Sequence, residues 1–242
     1  MVKSGDMMDA KGALEVFKKT ENLPSDTIIF FDVDDTLIRP QSRSFTKSPN
    51  MIDEIKANKD RYQNFIEILS NWRLQRKITL MDYDWPIIVA KLKTKFRIYG
   101  LTKMDTGSFG NIKSIEDWRY RELKSLGIEF SDDIKLPNIT SDTSPVFYKG
   151  IFITGSVSKS QTLEKYKTDL KTSTIVMVDD RVDHLEDIQI FCKKESINFV
   201  GILYRGHNDA KFDEKLAQFQ KEYLIKHAIW LEDREALSLM SK

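Results

Sequence analysis

One cysteine, three histidines and six prolines are few for a chain of 242 residues, and each scarcity removes a class of explanation. The lone Cys192 cannot close a disulfide within the chain. It lies in an apolar helical pattern between Ile190 and Ile197, which reads as a buried small hydrophobe rather than a nucleophile. His184, His207 and His227 are scattered and form no metal or triad spacing. Charge of one sign is missing too, since 38 Lys and Arg against 37 Asp and Glu leave a formal net charge of +1. That balance gives no basis for nucleic-acid binding through bulk charge. No apolar run approaches the roughly 18 residues of a membrane span, and the opening M-V-K-S-G-D-M-M-D lacks the apolar stretch of a cleaved signal. The expectation is a cytoplasmic protein without a transmembrane segment; export by a route that needs no cleaved signal is left open.

What is present belongs to a globular α/β protein. Hydrophobic residues make up 40% and charged residues 31% of the chain, and its length suits one α/β domain with insertions. The stretch from Ile28 to Leu37, I-I-F-F-D-V-D-D-T-L, runs from four large apolar residues straight into carboxylates. Such a run predicts a strand buried on both faces, as in a parallel sheet covered by helices. In open α/β sheets ligands collect beyond the carboxyl ends of the strands. Asp32 and Asp34 are two apart, so an extended backbone sends both carboxylates to the same side. Two carboxylates side by side are costly unless a cation or a proton separates them, and a divalent metal is the natural answer.

Along the chain, residues 1–26 are expected to form an N-terminal helical arm, with a helix from about Asp9 to Lys19. Residues 40–95 carry helical spacing, with Tyr62, Phe65, Ile66, Leu69 and Trp72 on one face, and read as a helical cap insertion. Ser48 before Pro49 is the expected N-cap of its first helix. Core strands are predicted at Thr27–Val33, Phe96–Thr102, Thr174–Val178 and Asn198–Leu203, with a hairpin from Val146–Tyr148 to Ile151–Thr154. The core thus spans 27–39 and 96–206, and residues 207–242 are a C-terminal helix. Strands alternating with helices imply a parallel sheet with right-handed crossovers, a Rossmann-like three-layer α/β fold. The dense basic stretch Lys91, Lys93, Lys95 and Arg97 reads as a solvated face, with an anionic substrate or peripheral membrane contact as the alternative.

Asp32, Asp34 and Thr36, then Thr102, then Lys159, then Asp179 and Asp180 fall in order at predicted strand ends or helix starts. This set resembles the haloacid dehalogenase-like superfamily across its four motifs: D-x-D-x-T after an apolar strand, a strand ending in Ser or Thr, a lysine near a helix start, and a strand ending in an acidic pair. The phrases L-T-K, L-K-S-L-G-I-E-F and G-I-F-I-T look like a little-characterised bacterial branch that includes exported phosphatases. The resemblance implies a Mg²⁺-dependent phosphomonoesterase acting through an aspartyl-phosphate. Asp32 would be the nucleophile, Asp34 the acid/base, and Thr102 and Lys159 the phosphate-binding groups. The metal would be held by Asp32, the Asp34 carbonyl and Asp180, with Asp179 and Asp183 in support. Lys149 and Lys165 are rivals to Lys159, and Asp179 is the rival to Asp180.

The expected partner is a phosphorylated small molecule or a phosphoprotein, with phosphotyrosyl protein as the substrate leaned towards and a small-metabolite phosphatase as the alternative. A non-enzymatic phosphoacceptor module, similar to response-regulator receivers, is the competing reading. Receivers place the lysine last, whereas here it precedes the final acidic pair. Composition and spacing carry no information on oligomeric state.

Overall fold

The computed structural model describes residues 5–134, 145–206 and 210–241. Among the described residues, seven strands form one sheet: β1 (Asp6–Ala10), β2 (Ile28–Phe31), β5 (Arg97–Thr102), β6 (Val146–Tyr148), β7 (Ile151–Ile153), β8 (Thr174–Asp179) and β9 (Asn198–Tyr204). Their order is β1-β9-β8-β2-β5-β7-β6, and every pairing is parallel except β6 with β7. The fold is therefore a Rossmann-like α/β sheet with one antiparallel edge strand. Two short strands, β3 (Ile38–Pro40) and β4 (Ile78–Leu80), pair separately.

The chain divides into two compact units. The first comprises Met1–Ile38, Leu80–Gly107 and Ser114–His207, and the second Arg39–Thr79, Ser108–Lys113 and Asn208–Lys242. Of the stretch 40–95, residues 80–95 therefore group with the sheet, and residues 208–242 group with 39–79.

In the first unit β2 is central. Its four residues are fully buried, and alternate side chains serve opposite faces of the sheet. Phe30 packs its ring 5.8 Å from Tyr99 and 5.9 Å from Phe152, in the cluster that also takes Leu163 and Tyr166 of α6 (Lys159–Tyr166) and Leu185, Ile188 and Phe191 of α7 (Val182–Lys194). Phe31 on the other face meets Trp85 of α4 (Trp85–Lys93) at 5.5 Å, and α4 packs on α1 (Ala13–Thr20). Cys192 is buried in the first cluster, and burial pushes its thiol up to about 12, as expected of a small hydrophobe.

The β6–β7 hairpin forms as predicted. Its two-residue turn has positive φ at both Lys149 (45°) and Gly150 (84°), the combination that suits the right-handed twist of the strands. The expectation for the N-terminus is corrected: Asp6–Ala10 is an edge strand parallel to β9, and the helix starts only at Ala13. D-M-M-D-A carries no β-branched residue to signal a strand, and ladder pairing with β9 prevails over that weak local preference.

The second unit is helical, built from α2 (Met51–Ala57), α3 (Phe65–Gln75), α8 (Glu214–His227) and α9 (Asp233–Met240). Its core joins Met51, Ile52, Ile55, Ile68, Leu69 and Trp72 to Leu224 and Trp230. The N-cap of α2 is Asn50, not Ser48: its side chain accepts from Ile52 and Asp53, and Asp53 accepts in return from the Asn50 amide. This reciprocal capping box satisfies the amides of Ile52, Asp53 and Asn50 at the start of the helix. The expected single C-terminal helix is two, separated at Ala228, whose φ of 51° is left-handed.

Candidate active site

The strand order reverses at β2: β5 and β7 lie to one side of it, β8 and β9 to the other. In such sheets the crevice opens beyond the strand ends at the reversal. Register makes the strand ends level, with Phe31 opposite both Gly100 of β5 and Val178 of β8. The Asp32 amide then donates to the Val178 carbonyl at 2.8 Å, which extends the ladder by one residue and brings Asp32 beside Asp179. Beyond it the chain turns sharply. Asp35 takes a left-handed φ of 61°, tolerable for Asp, and donates its amide to the Ile38 carbonyl at 2.8 Å. Asp35 is exposed and serves this turn.

Lys159 lies at the first turn of α6, where Ser158 and Gln161 form a reciprocal capping box. Its side chain is 1% exposed, and its ammonium donates at 2.6 Å to both Asp32 Oδ1 and Asp179 Oδ2. Burial pulls the lysine down, but the two carboxylates more than reverse this and hold it above its usual value. Lys149 sits on the hairpin turn over the Tyr120 ring, and Lys165 donates to the Pro145 carbonyl, so the two rival lysines are engaged elsewhere.

Asp179 is fully buried and well supplied with donors. Besides Lys159 it accepts from the Arg181 amide at 3.0 Å and lies 3.2 Å from His184 Nδ1. Burial raises its carboxyl, yet Lys159 and His184 together bring it below the ordinary carboxylate range. Asp32 goes the other way: burial and the neighbouring Asp179 outweigh Lys159 and push it up to about 7. Asp180 is pushed up to about 8 by burial and by Asp32, Asp179 and Asp35. Its backbone amide donates to the Thr36 hydroxyl at 3.1 Å, so the threonine of D-x-D-x-T braces the β2 turn against the end of β8.

Asp34 is bound by a residue that sequence reasoning missed. Arg119 of α5 (Ile115–Ser125) donates from Nη2 to Asp34 Oδ1 at 3.0 Å and Oδ2 at 2.7 Å. Lone arginines on helices are common and nothing in the local spacing points 85 residues back. His184 was visible only as an isolated histidine, although it lies one helical turn beyond Arg181 and faces Asp179. Thr102 ends β5, buried, two residues past the Gly100 that pairs with Phe31. Asp183 is not brought to this group: it is exposed and pairs with Arg181 at 2.6 Å.

Asp32, Asp179 and His184 each offer a ligand atom within 4.8 Å of one another, a grouping that could hold a metal ion. The Lys159 ammonium already contacts two of the three, one positive charge set between two carboxylates. Asp180 stands near the same pair, and burial first, then the neighbouring carboxylates, raises both Asp32 and Asp180. Oxygen donors of that kind suit a hard divalent cation. Away from this edge the basic stretch has structural partners: Lys93 and Lys95 donate to the carbonyls of Phe130 and Glu21, each at 2.6 Å, and Lys91 lies over the Phe17 ring. No helix among the described residues is long and apolar enough to cross a membrane.

A family model described as "Protein of unknown function (DUF2608)" matches residues 10–237. An uncharacterised protein of Rickettsia prowazekii (strain Madrid E) is 26% identical, over 91% of this chain and 85% of that one. An uncharacterised protein of Rickettsia bellii (strain RML369-C) is 24% identical, over 77% and 70% respectively. A crystal structure from Burkholderia xenovorans LB400, titled provisionally as a haloacid dehalogenase-like hydrolase, matches 90% of this chain and 96% of its own at 13% identity and a TM-score of 0.42.

Proposed function

Since the chain belongs to the DUF2608 family, whose description names no reaction, we propose from the site itself that it is a Mg²⁺-dependent phosphomonoesterase of the haloacid dehalogenase-like kind, working through an aspartyl-phosphate. The observation that carries this reading is the buried Lys159 ammonium shared by Asp32 and Asp179 at adjacent strand ends, with Asp34 on the turn that follows. A carboxylate held beside an ammonium at a sheet edge is poised to meet a phosphoryl group whose charge must be matched.

Lys159 occupies Oδ1 of Asp32, which makes Oδ2 the attacking oxygen. In the first step Oδ2 bonds to phosphorus, the bond to the leaving oxygen breaks, and Asp34 delivers a proton to that oxygen. In the second step water attacks the phosphorus of the aspartyl-phosphate, Asp34 takes its proton, and Asp32 is released with inorganic phosphate. Lys159 neutralises charge as a point donor, and Thr102 at the end of β5 binds phosphate oxygens. Asp32, the Asp34 carbonyl and Asp180 would hold Mg²⁺, which would supply charge to offset the repulsion between nucleophile and phosphate. Asp179, held by Lys159, Arg181 and His184, supports rather than ligates. All of these side chains belong to the first compact unit.

The test is Mg²⁺-dependent cleavage of a generic aryl phosphate by the wild type and by Asp32→Asn with its fold checked by circular dichroism. Turnover is expected to vanish in the variant. Unchanged turnover there would sink the mechanism, and a wild type that binds phosphate without turnover would favour the phosphoacceptor module. Asp34→Asn is expected to turn over slowly and to accumulate covalent phosphoenzyme. A panel of phosphorylated metabolites and phosphotyrosyl peptides, with and without chelator, separates the two substrate classes.

A further inference from the structure

We propose that Arg119 is a positioning residue for the Asp34 carboxylate, fixing by a two-point contact the orientation in which Asp34 exchanges protons with the leaving oxygen and with water; this rests on the phosphatase reading above. The backbone around Asp34 is already set, by the left-handed Asp35 and by the amides of Asp35 and Leu37 bonding to Ile38 and Val33. Side-chain rotation is the remaining variable, and the Asp34 side chain is 43% exposed. One nitrogen of Arg119 reaching both carboxylate oxygens, at 3.0 and 2.7 Å, restrains that rotation.

The contact is not explained by the needs of Asp34 as a surface carboxylate, which water would satisfy. Nor is it required only to neutralise the arginine, because Glu122, three residues along the same helix, lies 2.9 Å from Nη1. The guanidinium is 3% exposed and lies between the carboxylates of Asp34 and Glu122. A side chain locked by burial and by a second partner is a rigid support for a group that must be placed to within a fraction of an ångström. Arginine keeps its protons throughout, so the proton balance of both steps stays with Asp34, the leaving oxygen and water.

The experiment uses the full chain with Mg²⁺ and an aryl phosphate, and compares wild type, Arg119→Met, Arg119→Lys, Asp34→Asn and the double variant Arg119→Met/Asp34→Asn. Expected is a fall in kcat of at least about tenfold in Arg119→Met with little change in KM, since misplacing an acid/base group costs the chemical step. Arg119→Lys, which keeps the buried charge on a shorter and more mobile side chain, recovers only part of that loss. The double variant is no slower than Asp34→Asn, because the second substitution removes a support whose load is already gone. Wild-type kcat in the folded Arg119 variants, or losses that multiply in the double variant, would overturn the inference and leave the phosphatase reading standing. Absence of Asp32-dependent turnover in the wild type overturns both. If Arg119→Met does not fold, Arg119→Lys decides: a folded variant with kcat reduced at unchanged KM supports the inference, and one with wild-type kcat overturns it.

Discussion

Removing the ammonium of Lys159 would strand Asp32 and Asp179 against each other in a region from which water is excluded. Breaking a buried pair in this way typically costs about 3–5 kcal/mol, and here one cation serves two acids. Lys159→Met is therefore expected to lower the free energy of unfolding by an amount in that range, read from urea denaturation at neutral pH without added metal. A loss under about 1 kcal/mol would mean that the two acids take up a shared proton instead. Thr36→Val tests a smaller joint. It removes the acceptor of the Asp180 amide, and loss of such a buried bond costs about 1–3 kcal/mol. Both residues were legible beforehand, because the chemistry of a charged junction after an apolar strand is written in adjacent positions. Arg119 and His184 were not, since each reaches its partner through helix placement that no local spacing encodes.

Elements show the same division between local and non-local information. The runs I-I-F-F and T-I-V-M-V are β-branched or aromatic throughout, so β2 and β8 could be found by eye. Strand β1 could not, because its pairing with β9 joins residues nearly 200 apart in the chain. The hairpin turn was legible as a position but not as a constraint. A Cβ on Gly150 would stand 2.6 Å from the Ser131 carbonyl oxygen, and its φ of 84° already suits glycine alone. Gly150→Ala is expected to destabilise the chain by about 1–3 kcal/mol through strain and overlap, read as a lower Tm.

At the scale of the whole molecule the acidic site couples stability to pH. Burial, with Asp32, Asp179 and Asp35 behind it, raises Asp180 from an ordinary 3.8 to about 8. The folded chain without metal therefore keeps a proton that the unfolded chain has released, so this group's contribution is complete below about pH 4 and is lost as pH rises towards 8. In chelator, Tm should fall between about pH 5 and pH 8, and the fall should shrink in Asp180→Asn. Added Mg²⁺ should raise Tm most at the alkaline end, where both carboxylates are available to bind it. An equal Mg²⁺ shift at both pH values would argue against Asp180 as a ligand. The sheet's general architecture was readable from strand and helix alternation, but the composition of the second unit was not, since its membership depends on which distant helices share a core.

That core has a consequence for the nascent chain. Ile52, Ile68 and Trp72 leave the ribosome about 150 residues ahead of Leu224 and Trp230, the side chains that close their cluster. Until then the apolar faces of α2 and α3 have no permanent cover, while the strands around Asp32 can already assemble once β8 and β9 are made. Synthesis thus favours an order in which the sheet precedes the helical unit, and the apolar faces of the early helices stay uncovered for most of translation.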